Sequence, residues 1–305
     1  MRKILEFIRD LAWVAFSWAP RQAWKRKPLR AAALGFLAVA AAVTLIMVQN
    51  PPSPGMAAAA PSVLPQAEPA APLVDAGELT ESLDAYLALH PELAGSVRVS
   101  VGEEFFDYHP ELRFETASIV KVDILATLLY LQDAPLTRDQ RDMASDMITL
   151  SDNDATNELY GDIGGPAGLS KANEAFGLSE TEAGWDWGAV STSAADQVRL
   201  WHAVMYPGVL SEDEVALIRE LTASVVSEQV WGVDRLSVPG SVVRLKNGWD
   251  WRDNLDGRWL AHSVGMIETP GEPDVFVAIL TSGHTDYEDA LDVVSAIGSL
   301  IAAAV

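Results

Sequence analysis

The sequence has no cysteine. That excludes disulfides, thiolate catalysis, iron–sulfur clusters, cysteine-ligated zinc and a lipidated N-terminal cysteine, and it leaves the redox compartment unreadable. Positive charge is scarce beyond the first thirty residues. Residues 1–30 hold eight Lys and Arg against Glu6 and Asp10; of the 21 Lys+Arg and 43 Asp+Glu in the chain, residues 31–305 keep 13 and 41, a balance of −28. A surface of that sign argues against nucleic acid as a partner of the folded part. The five histidines, His90, His109, His202, His262 and His284, lack metal-ligand spacing, and no phosphate-binding glycine loop or solenoid repeat occurs, so neither a metal nor a cofactor is expected. What remains is a chain of 305 residues, 49% hydrophobic and 21% charged, which excludes wholesale disorder and leaves room for one large domain, or two small ones, plus appendages.

The longest uncharged hydrophobic run is Ala31 to Val48, AAALGFLAVAAAVTLIMV. As a helix it covers roughly 27 Å at about 1.5 Å per residue, nearly the hydrocarbon core of a bilayer. Arg21, Lys25, Arg26, Lys27 and Arg30 precede it and no charge follows until Glu68, so residues 1–30 are expected in the cytoplasm and the remainder outside it. A cleaved signal peptide is the alternative, helped by the small residues Ala57 to Ala60; a basic region of thirty residues and the length of the run favour an uncleaved single-pass anchor. Ile4, Leu5, Phe7, Ile8, Leu11 and Ala12 recur at helical spacing, either for an interfacial helix on the inner leaflet or for docking to an unidentified cytoplasmic partner. Residues 49–76, rich in Pro and Ala, read as an extended tether, and residues 77–305 as a soluble domain.

Within that domain, helical spacing predicts helices over 78–89, 118–131, 193–206, 212–225 and 287–303. Alternation predicts strands at 97–101, within 105–114, and at 242–246, 259–268 and 275–281. Strands at both ends of the domain around a helical middle give an α+β class: one antiparallel sheet built from N- and C-terminal pieces, covered by the terminal helices, beside an all-helical subdomain.

Three short motifs carry chemistry. Ser118-Ile119-Val120-Lys121 places a hydroxyl and an amine on one helix face. A serine hydroxyl attacks only when a base takes its proton, and a lysine can do so only if burial or neighbouring positive charge lowers its pKa. Ser151-Asp152-Asn153 reads alone as a helix cap, and Lys246-Asn247-Gly248, at a strand and followed by Trp249, reads alone as a turn. Their order and their helix and strand contexts point elsewhere: Ser-x-x-Lys, Ser-Asp-Asn and Lys-Thr-Gly occur together in class A β-lactamases and penicillin-binding proteins.

The chain resembles that family over about residues 78–305, and the stretches WGVDRL before the third motif and AHSVG after it fit as well. The resemblance implies a β-lactamase/transpeptidase-like fold with its site between sheet and helical subdomain, and a serine hydrolase acting on a β-lactam or on a D-alanyl peptide of the cell wall. It implies that Ser118 is the acylated nucleophile, Lys121 its proton acceptor and Ser151 the donor to the leaving nitrogen. Asn153 would hold a side-chain amide of the substrate, and Lys246, Asn247 and Gly248 would face its carboxylate. Backbone N–H groups of Ser118, at a helix N-terminus, and of Trp249 would bind the oxyanion. Arg244, two residues before Lys246 on the same strand, either helps with the carboxylate or is simply solvated.

The departures are equally informative. The stretch from Ser118 to Ser151 is short for the family, so a trimmed helical subdomain is expected. Asn247 stands where Thr or Ser is usual, and the segment from Gly177 to Thr192, GLSETEAGWDWGAVST, lacks the Glu-x-x-Asn arrangement that activates the deacylating water. Glu180, Glu182 and Asp186 are its carboxylates; Glu182 is the best candidate for a deacylation base, and slow deacylation is expected. Trp185, Trp187, Trp249 and Trp251 are either an aromatic wall beside a ligand or ordinary core. A non-turnover penicillin sensor or cell-wall binding module is the competing reading.

Overall fold

The computed structural model describes residues 73–305 apart from Trp185. The apolar run from Ala31 to Val48, the segments flanking it and most of the tether lie outside the described residues, among which no helix is long and apolar enough to cross a membrane.

The domain opens with α1 (Ala76–Ala88), capped by the Asp75 carboxylate on the Glu78 N–H. There follow β1 (Ala94–Val101), β2 (Glu104–Tyr108) and the two-residue β3 (Phe114–Glu115). Helices then dominate: α2 (Val120–Leu131), α3 (Arg138–Thr149), α4 (Asn153–Asp162) and α5 (Pro166–Phe176). After β4 (Ser191–Thr192) come α6 (Ala194–Met205) and α7 (Glu212–Thr222), then the long strands β5 (Val242–Arg252), β6 (Arg258–Glu268) and β7 (Val275–His284), and finally α8 (Tyr287–Ala304). The main sheet has the order β2-β1-β7-β6-β5 with antiparallel pairings throughout, so β1 from the N-terminal piece pairs with β7 from the C-terminal piece, Val97 opposite Ile279.

Both faces of this sheet are covered, and β7 shows why residues Val275 to Leu280 are apolar at every position. Phe276, Ala278 and Leu280 enter a core shared with the helical subdomain, while Val277 and Ile279 enter a second core beneath α1 and α8. Period-two geometry divides one continuous apolar run between two cores. In α2, residues 120–129 are all buried, including Lys121, Asp123 and Thr127. A helix apolar on all sides belongs inside a domain, and this one carries charged groups into the interior.

The helical subdomain contains three helices, α3 to α5, that apolar periodicity alone did not single out. Their ends carry the signal instead: a capping box between Thr137 and Gln140, Asp152 accepting from the Ala155 N–H at 2.7 Å, and Pro166 opening a helix that Gly177 closes in the left-handed region (φ 73°). β5 extends six residues beyond its predicted end, because Asp250 and Arg252 in its polar half stay paired with Leu260 and Arg258 of β6.

Candidate active site

Ser118 lies in a 3₁₀ turn, Ala117–Ile119, that leads directly into α2. Ala117 has a positive φ of 43°, a conformation uncommon for a residue with a side chain. The turn is held from below by His262: Thr281 N donates to His262 Nδ1 at 3.2 Å, which leaves the proton on Nε2 to be donated to the Glu115 carbonyl at 2.8 Å. Burial lowers the His262 pKa to about 4, so the ring is neutral across the working range.

Gly248 on β5 lies against the same turn. A Cβ at that position would stand 2.7 Å from Ile119 N, 2.8 Å from Ser118 N and 3.0 Å from the Thr116 carbonyl, all backbone atoms. Only glycine lets the strand approach the Ser118 amide this closely.

Lys121, one helical turn beyond Ser118, is fully buried. Its Nζ donates to the Ser151 carbonyl (2.7 Å), Ser151 Oγ (3.1 Å) and Asn153 Oδ1 (2.7 Å). Burial lowers its pKa to about 7, opposed by the carboxylate of Asp152. Lys246, also fully buried, donates to Ser151 Oγ at 3.1 Å and to the Asn247 carbonyl at 2.8 Å. Its pKa is lowered by burial and then by the charge on Lys121. Ser151 has φ 59°, again in the left-handed region, which aims its hydroxyl between the two amines. Strained backbone at two positions flanking Ser118 and the two lysines is the pattern of a functional site. The chemistry follows from counting: with both lone pairs of Ser151 Oγ accepting from amines, its proton is left for a third group.

The structure joins Lys121, Ser151, Asn153 and Lys246 through hydrogen bonds and sets Gly248 against the Ser118 backbone, while the Ser118 side chain makes no hydrogen bond among the described residues. The Asn153 amide gives its oxygen to Lys121, and its Nδ2 makes no hydrogen bond among the described residues. Asn247 is placed differently from expectation. Strand alternation turns its side chain away from that of Lys246, and its Nδ2 donates to the carbonyls of Gln229 and Trp231, each at 2.9 Å, fastening the segment that precedes β5. The Trp249 ring is on that same far face, 6.1 Å from the Trp231 ring and 5.6 Å from that of Tyr287, so only its backbone is available to the site. Arg244 is engaged by Glu268 (3.0 Å) and the Arg219 carbonyl (2.7 Å).

Two of the three loop carboxylates are committed elsewhere. Glu180 pairs with Arg113 and accepts from Ser193 Oγ at 2.6 Å; Asp186 caps its own turn through the N–H groups of Gly188 (2.6 Å) and Ala189 (3.0 Å). Glu182 has an exposed side chain, with its backbone bridged to Ser191. Of the four tryptophans considered for an aromatic wall, Trp185 lies outside the described residues and Trp251 is exposed. Among the described ones Trp187 reaches the site: its ring centroid is 5.0 Å from Lys121 Nζ.

A family model described as "Beta-lactamase enzyme family" matches residues 129–305, more than half of the chain. The chain belongs to this family. Its domain has the β-lactamase/transpeptidase-like fold. Among solved structures, a PBP-A variant as its acyl-enzyme complex with penicillin G is similar at 18% identity, covering 74% of this chain and 95% of that one, with a TM-score of 0.64. The TLA-1 extended-spectrum β-lactamase is 16% identical over 75% of this chain and 97% of its own, TM-score 0.64. A class A β-lactamase from Bacteroides cellulosilyticus is 13% identical over 74% and 98%, TM-score 0.61. No curated protein matches the sequence.

Proposed function

We propose that this β-lactamase-family domain is a serine hydrolase acylated on Ser118 by β-lactams or by D-alanyl peptide amides, and that it releases the acyl group slowly. The observation that carries the reading is the placement of Ser151 Oγ 3.1 Å from both Lys121 and Lys246. In the reaction, neutral Lys121 takes the Ser118 proton as Oγ attacks the carbonyl carbon. The C–N bond then breaks as Ser151 gives its proton to the nitrogen and recovers one from the Lys121 ammonium. The amides of Ser118 and Trp249 receive the oxyanion, a reading supported by the close approach of Gly248 to the Ser118 amide. A substrate carboxylate arriving beside Lys246 supplies the counter-charge that burial otherwise denies this amine. The cationic flank before Ala31–Val48 supports placing the domain outside the cytoplasm on a single-pass anchor, where both substrate classes are met.

Full-length protein incubated with a penicillin should gain one covalent adduct on Ser118 by intact-mass and peptide mass spectrometry, absent in Ser118→Ala. An adduct that persists in that variant, or none in the parent at high ligand concentration, overturns the assignment. With no loop carboxylate turned toward Lys121, a chromogenic cephalosporin should give a burst of about one equivalent and then slow turnover, since base assistance to water is typically worth 10²–10⁴-fold. Steady turnover abolished by Glu182→Gln would instead make Glu182 the deacylation base. A stable adduct with no turnover on any amide substrate would favour the sensor reading.

A further inference from the structure

Trp187 sits at the start of a short 3₁₀ turn, Trp187–Ala189, that packs on the turn carrying Ser118. Its position is fixed from three directions. The indole Nε1 donates to Asn157 Oδ1 on α4 at 2.9 Å. The next residue, Gly188, has its carbonyl held at 3.0 Å by Nη2 of Arg252 on β5, and Arg252 Nε donates to Glu115 on β3 at 2.6 Å. Asp186 caps the turn from within. An aromatic ring pinned by a helix, a strand and its own turn over a buried ammonium is more than loop packing requires.

We propose that Trp187 is a positioning residue that seals Lys121 and the acyl-serine from bulk water and thereby prolongs the life of the acyl-enzyme. This deepens the acyl-serine reading and rests on it. Hydrolysis of the ester needs a water held by an acceptor that can take its proton, and an indole has no acceptor to offer. The groups facing Lys121 are Asp152, Ser151 and Asn153 at the start of α4, Lys246 from β5, and the Trp187 ring from the loop. Asp152 is spent on the α4 cap. Asp123, on the same helix as Lys121, is turned toward Asn173, whose amide nitrogen, in the orientation its surroundings require, lies 3.1 Å from both carboxylate oxygens. The indole therefore occupies the approach to Lys121 that a water-activating carboxylate would need.

Two readouts on the full-length chain test this. The first is the loss of penicilloyl adduct from Ser118, followed by intact mass in Trp187→Ala and Trp187→Phe. The second uses free protein: acetic anhydride labelling of Lys121 across pH, with Lys171 as the internal reference, reports the amine's own titration. Trp187→Ala, by letting bulk water reach the ester, should lose adduct roughly tenfold faster, less than the about 10²–10⁴-fold a positioned base adds, and its Lys121 labelling midpoint should move up toward that of an ordinary lysine. Trp187→Phe should stay near the parent in both. Should the alanine variant not fold, Trp187→Leu, which keeps an apolar side chain but removes the ring from above Lys121, should move both readouts the same way. Parental adduct lifetime in the opened variants, or an unmoved Lys121 midpoint, overturns the proposal. Absence of any adduct in the parent defeats the acyl-serine reading instead, and the labelling arm still decides whether Trp187 seals Lys121.

Discussion

At the scale of single residues, the site is a problem of charge in a dry place. Two amines share one hydroxyl, and burial makes each easier to deprotonate than in water. As the proposed base, Lys121 must be neutral to accept the Ser118 proton, and its pKa of about 7 places that requirement in the physiological range. The sign is unambiguous: below that pH the amine is protonated and cannot act, and above it the neutral form dominates. The acylation rate with a penicillin should therefore rise roughly tenfold per pH unit below about pH 7 and level off above it. Stopped-flow acylation across pH measures this, and a profile flat from pH 5 to 9 would count against Lys121 as base. Lys121→Ala should abolish the pH-dependent limb. The three motifs were legible in the sequence because residue type and order alone distinguish a hydroxyl, two amines and an amide. The facing of Asn247 was not used, although strand alternation contains it: if Lys246 points to the cleft, its neighbour points away. Trp187 was visible only as one aromatic among several, since nothing in the loop's sequence says which ring reaches Lys121.

At the scale of elements, the proposed acylation depends on the separation between β5 and the turn that starts α2. Gly248 sets that separation, with Ser118 N and Ile119 N within 2.8 Å of where a Cβ would stand. Because the clashing atoms are backbone, no side chain can swing aside, and Gly248→Ala must push the strand and turn apart. A misplacement on the order of 1 Å costs about 10²-fold in rate, while overpacking of this kind typically costs about 1–3 kcal/mol. The expected result is a loss of about 10² in acylation rate constant with the domain still folded by circular dichroism. Acylation within a factor of a few of the parent would show that strand and turn need not touch. The elements themselves were readable to differing degrees. Buried strands such as β7 announce themselves as β-branched runs. In α3, by contrast, only Ala144, Met147 and Ile148 are buried, too few to raise a stripe above its polar sequence, so its capping box was the better signal.

At the scale of the whole molecule, the acidic balance of residues 31–305 opposes the chemistry at its centre. On the proposed reading, a β-lactam or a peptide C-terminus would arrive as an anion and cross a field set by 41 Asp and Glu against 13 Lys and Arg before Lys246 held it. The two contributions differ in range. Exposed carboxylates act through water and are screened over a Debye length of about 30 Å at 0.01 M salt and about 10 Å at 0.1 M. The two lysines act at contact distance inside a buried site, where salt has little access. Raising ionic strength should therefore weaken the repulsion more than the attraction. The second-order acylation constant for an anionic penicillin is expected to increase by a factor of a few between about 0.01 and 0.15 M salt. The first-order acylation step at saturating ligand should stay unchanged, because it depends only on groups already in contact. A neutral ester of the same penicillin, carrying no charge into the field, should show no increase. If the anionic ligand instead binds more weakly as salt rises, the local potential around Lys121 and Lys246 extends well beyond the cleft and overrides the acidic surface.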